Sequence, residues 1–112
     1  MSIIDRPAWL TEPCPAWCSE DHSAQECPPD RRHESEVIVL PVIQRTAHWP
    51  RGAAAPVHGA TAEEYVVVAF REVGTTESWV VVANEQKQLE VSLESAVRLH
   101  AVLGELLARR AD

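Results

Sequence analysis

Apolar residues are unevenly distributed along this chain. In residues 1–35 the large apolar positions are Ile3, Ile4, Trp9, Leu10 and Trp17, scattered among Pro7, Pro13, Pro15, Pro28, Pro29 and many charges. At Glu36 the pattern changes to EVIVLPVIQ, a β-branched run that predicts a strand, and Pro41 restricts it to a sheet edge or a bulge because proline has no amide to donate. The runs EYVVVAFRE (64–72) and SWVVVANE (78–85) predict two more strands, joined through VGTTE, where Gly74 suits a hairpin turn. KQLEVS adds a short fourth strand, since Leu89 and Val91 alternate with polar neighbours.

The last segment changes period. In SLESAVRLHAVLGELLARR, Leu93, Ala96, Val97, Leu99, His100, Leu103, Leu106 and Leu107 recur at helical spacing and form one broad apolar stripe, with His100 expected at the edge of the core. Ser92 is placed to accept a hydrogen bond from an unpaired first-turn amide, Glu94 sits at the positive end of the helix dipole, and Arg109 and Arg110 sit at the negative end. These elements predict an α+β fold: an antiparallel three- or four-stranded sheet packed by one C-terminal helix. A homodimer formed through an exposed strand edge is the alternative assembly. Between the first two strands lies RTAHWPRGAAAPVHGATA (45–62), a connection long enough that it is expected to be mobile or to bind something.

A proline-rich leader with so little apolar surface cannot offset its own ordering entropy, so residues 1–35 need a metal or another surface to dock on. The leader and residues 36–112 are therefore expected to form one domain together. Its candidate ligands are Cys14, Cys18, His22, Cys27 and His33. Positions 14, 18 and 22 are spaced by four, so one turn-like segment would present them on a single side, and His33 would return as the fourth ligand just before the first strand. Zinc suits a tetrahedral set of thiolates and imidazoles, and the odd, clustered cysteines fit a metal site in a reducing compartment better than a disulfide framework.

With CPAWC (14–18) followed by His22 and later by His33, and with Val-rich strands and a closing SLESAVRLHAVLGELL helix, the chain resembles short actinobacterial proteins known only as a domain of unknown function, whose pattern is C-P-x-W-C-x-x-x-H with a second histidine downstream. The resemblance implies Cys14, Cys18, His22 and His33 as the metal ligands and carries no activity with it. Cys27 lies outside that pattern and is a possible substitute ligand.

Charge narrows the partners. The 112 residues carry a formal charge of −7, which repels nucleic acid and anionic lipid at long range. Asp5 and Pro7 interrupt the start where an export signal needs an apolar run, and about 18 consecutive apolar residues occur nowhere, so a cytoplasmic protein without membrane spans is expected. The zinc-deaminase signature, a phosphate loop and a nucleophile elbow are all missing. Trp17, between the two cysteines, is expected to shield the metal. Trp49, flanked by Arg45 and Arg51 in the acid-free connection, has the composition of a protein-interface hot spot. The expected function is a small zinc-binding interaction or regulatory module in which zinc is structural and the partner is another protein. The alternatives are a zinc hydrolase using Glu20 or Glu34, and a redox- or zinc-responsive regulator acting through Cys27.

Overall fold

The computed structural model describes residues 7–25 and 27–110; Ile3, Ile4 and Glu26 lie outside them. Among the described residues, five strands and one long helix follow two short 3₁₀ turns, His22–Ala24 and Pro28–Asp30: β1 (Arg32–Glu34), β2 (Ile38–His48), β3 (Val57–Glu72), β4 (Trp79–Ala83), β5 (Gln88–Ser92) and α1 (Leu93–Ala108). All strand pairs are antiparallel, and β3 is the axis of the sheet. On one side it pairs with both β1 and β2; on the other come β4 and then β5. The α+β class and the terminal helix are as the periodicity predicts. The fifth strand is β1, inside the segment that reads as leader.

β1 and β2 are one edge strand interrupted by a β-bulge. Glu34 pairs with Phe70 and Ile38 with Val67, so four steps on the edge strand match three on β3. Ser35 bridges the irregularity, its amide donating to the Ala69 carbonyl and its hydroxyl accepting from the Ala69 amide. The extra residue places His33 on the same face as Ile38, Leu40 and Val42. Pro41 is tolerated because β2 pairs with β3 alone.

The connection 45–62 is largely strand, which corrects the expectation of a long mobile segment. Arg45 pairs with Ala60 and His48 with Val57, leaving a turn over 49–56 in which Gly52 takes φ +77°. The residues involved are mostly small or polar, so no apolar alternation announces the strand; the ladder to β2 supplies the order instead. β4 flanks β3 only from Val66 to Phe70, so beyond Pro41 and Glu64 the β2–β3 pair runs on as a two-stranded ribbon. Of the two tighter turns, the one through Gly74 is where the sequence predicts it. Gly74 adopts φ +87° between β3 and β4, and Asn84 Oδ1 accepts from the Gln86 and Lys87 amides between β4 and β5.

Ser92 caps α1 as expected, its Oγ accepting from the Ser95 amide at 3.1 Å. The helix starts directly after β5, where the Leu93 amide donates to the Ser78 carbonyl, and then runs away from the sheet with no buried residue. His100 is exposed, not at a core edge, because nothing among the described residues covers the stripe it belongs to. Among the described residues the buried apolar side chains are Leu10 and Phe70. Phe70 lies under the Arg32 guanidinium, 4.5 Å from its ring centre, and pairs across the ladder with Trp79. The radius of gyration is 19.3 Å, against about 13 Å for a compact chain of this length. No helix among the described residues is long and apolar enough to cross a membrane.

Candidate metal centre

The leader is built from turns. Leu10 N donates to Pro7 O and Cys18 N to Pro15 O, so Pro15 opens a tight turn between the two cysteines. Asp21 caps the 3₁₀ turn that carries His22, its carboxylate accepting from the Ser23 amide and hydroxyl; those bonds hold its pKa below the usual carboxylate range. The spacing of four is thus realised by two successive turns. His33 comes from the other direction, on β1 opposite Arg71, and is fully buried.

These segments bring Cys14, Cys18, His22 and His33 together, with one ligand atom from each lying within 4.8 Å of the others. His22 Nε2 stands 3.4 Å from Cys14 Sγ and 3.6 Å from Cys18 Sγ. A tetrahedral zinc site, with metal–sulfur bonds of about 2.3 Å and metal–nitrogen bonds of about 2.0–2.1 Å, puts sulfur and nitrogen about 3.5 Å apart. His22 Nε2 therefore stands at coordination spacing from both sulfurs. Cys27 is exposed and lies outside the group, and no disulfide joins the three cysteines.

Both imidazoles are oriented by groups that sequence spacing does not reveal. Gln25 is buried; its amide donates to the Arg32 carbonyl at 2.9 Å, and its Oε1 accepts from the Arg32 amide at 3.2 Å. That pairing fixes Oε1 as an acceptor, so His22 Nδ1, 2.9 Å away, carries the proton and Nε2 turns its lone pair to the sulfurs. His33 Nε2 donates to Glu12 Oε2 at 2.6 Å, and the same carboxylate accepts from the Gly74 amide at 2.8 Å and contacts Arg71 at 3.5 Å. The remaining His33 nitrogen, Nδ1, is buried without a hydrogen-bond partner. A buried acceptor left unpaired is costly, and a cation within the cluster would satisfy it. Carboxylate to imidazole to metal is a recurrent arrangement that holds the ring and raises its basicity.

The electrostatics agree with these roles. Glu12 is held below its ordinary value of 4.5, first by the His33 hydrogen bond, with the Gly74 amide and Arg71 adding to it. Its stabilising contribution is present above that ordinary value and fades as pH falls through the lowered one. Burial pushes the Cys18 thiol up, and the neighbouring Cys14 pushes the same way. A cation would reverse that preference by binding the thiolate.

Trp9 packs edge-on to His22 at 5.9 Å with Arg31 stacked 4.2 Å above it, and Trp17, between the two cysteines, is half-buried. His22 and His33 meet edge to face at 5.0 Å. Backbone bonds from Ser19 N to Glu34 O and from Val73 N to Arg31 O tie the leader to the sheet on either side of the cluster. Replacing Gln25 or Glu12 with alanine is expected to weaken metal affinity about 10- to 100-fold through loss of imidazole orientation, measurable by competition with a chromogenic chelator. Unchanged affinity in both variants would remove these residues from the site.

The chain matches no curated protein and no solved structure. A family model does match it over residues 3–112, nearly its whole length, and the chain belongs to that family, described as a domain of unknown function, DUF6907.

Proposed function

We propose that this protein is a small zinc-binding module in which the metal is structural and the work is protein binding. The observation that carries the reading is the convergence of two sulfurs and two imidazoles, each ring held by its own buried or half-buried partner, with an orphaned His33 nitrogen among them. Four protein donors complete a tetrahedral shell, and two thiolates neutralise a divalent cation. When bound, the ion supplies a cross-link between the leader and β1; the chain's own residues supply its orientation through Gln25 and Glu12.

Purified protein is expected to hold one zinc per chain by elemental analysis, and cobalt exchanged into the site should give the intense visible absorption of a tetrahedral, thiolate-bound centre. An open position occupied by water would favour the hydrolase alternative. A metal-free chain with an unchanged fold would reject the proposal. The redox alternative draws no support from Cys27, which stands apart from the four donors.

For the protein partner we assign the tip of the ribbon. Trp49 is 65% exposed on the turn after β2, with Arg45 on the strand before it and Arg51 in the turn itself. Exposed Trp and Arg of this kind dominate protein interfaces. Trp49→Ala and Arg51→Ala should change stability by less than about 0.5 kcal/mol while lowering recovery of bound proteins from lysate. Unchanged recovery would count against this surface.

A further inference from the structure

We propose that the chain functions as a homodimer in which α1 of each copy packs into a groove on the sheet of the other. Two unpartnered surfaces lie in the same chain. One is α1, whose Val97, Val102, Leu103, Leu106 and Leu107 are 45–61% exposed. The other is a groove of about 930 Å³ where the β2–β3 ribbon diverges from the β4–β5 turn, floored by Val39, Ile43, Ala62 and Val66. By strand register those four residues lie on the face opposite His33, so the groove and the metal cluster occupy different sides of the sheet.

The area fits a dimer. The chain exposes 8722 Å², whereas a compact monomer of 12.4 kDa exposes about 6,100 Å². The excess, about 2,600 Å² per chain and so about 5,200 Å² for a pair, lies at the upper end of obligate dimer interfaces, which bury about 2,000–5,000 Å² or more in total. Self-coverage is opposed by connectivity: no linker separates β5 from α1, and the Ser92 cap and the Leu93 to Ser78 hydrogen bond fix the direction in which the helix leaves. A second copy has no such restriction, and reciprocal insertion closes with two-fold symmetry.

Charge also matches. The groove is rimmed by Glu63, Glu64 and Glu85, while α1 and its end carry Arg98, Arg109 and Arg110. Seating Arg109 and Arg110 against Glu85 brings Glu105 of one copy towards Lys87 of the other. Lys87 is the chain's single lysine, which makes this approach testable.

Sedimentation of the full, metal-loaded chain at tens of micromolar should give about twice 12.4 kDa. Leu103→Glu and Ile43→Glu should each halve that mass or abolish folding. Both positions are exposed in the single chain, 45% and 75%, so a self-sufficient monomer would tolerate the charges with fold and mass unchanged. Carbodiimide coupling after exchange between ¹⁴N- and ¹⁵N-labelled chains should yield a mixed-isotope Lys87–Glu105 link. A single-chain mass for the native protein, a dimer that survives both substitutions, a Lys87–Glu105 link confined to one chain, or links joining only the β5 edges would each overturn the proposal.

Discussion

Treating the metal-loaded protein with a strong chelator at neutral pH is expected to release residues 7–34 from the sheet and to abolish or sharply lower the cooperative melting transition. Among its described residues the leader contributes Leu10 to the small core, and the others that are buried are the polar His22, Gln25 and His33. Without a cation, the packing of this segment rests on a buried imidazole nitrogen with no partner and on a thiol that burial already disfavours as an anion. Structural zinc contributes on the order of 10–16 kcal/mol in small peptides, comparable with the whole stability of a domain. Each kcal/mol lost moves the melting temperature by roughly 4–8 °C in a domain of this size class. Amide exchange locates the effect. The amides of Cys18, Ser19, Gln25 and Val73, each bonded within the leader or between leader and sheet, should lose protection, whereas those in the centre of β3 and β4 should lose less. Retained protection at all four in metal-free protein would show that the leader is ordered by its own packing. Acid should act in the same direction as the chelator, since bound thiolates and imidazoles must give up the metal to take protons.

The second large effect is expected at Phe70. It is 7% exposed, lies under the Arg32 guanidinium, pairs across the ladder with Trp79, and stands where β1, β3 and β4 meet. Truncation to alanine removes one of the two buried apolar side chains described and leaves a gap that three strands cannot close together, so a loss of about 3–5 kcal/mol is expected. Urea denaturation should show a lower midpoint with an unchanged slope. A loss below about 1 kcal/mol would mean that the sheet is stabilised elsewhere, with the Phe70 cluster incidental.

What the sequence made legible, and what it did not, follows from where each signal resides. Cys14, Cys18, His22 and His33 stand out because sulfur and imidazole are rare and their spacing is local. Glu12 and Gln25 carry no comparable mark. Glu12 is 21 residues from the histidine it holds, and its role exists only because β1 pairs with the far end of β3 beside the Gly74 turn. Strands rich in Val and Ile, and the helix opened by Ser92, were readable from period and capping. The ribbon was not, because Thr46, Gly59 and Ala60 present no apolar alternation and owe their extended form to the backbone ladder. Nor did helical periodicity reveal that the stripe on α1 would find no cover among the described residues; an amphipathic face states a need for a partner surface without naming it.

The bulge between Glu34 and Ile38 governs the parity of the edge strand. Straightening the bulge without removing a residue would send either His33 or the Ile38–Leu40–Val42 row through to the opposite side, whereas losing one residue from Ser35 to Val37 would leave a regular ladder, three steps against three, with both on one side. The geometry of the candidate metal site therefore depends on a backbone irregularity in a three-residue stretch that contains none of its four donors.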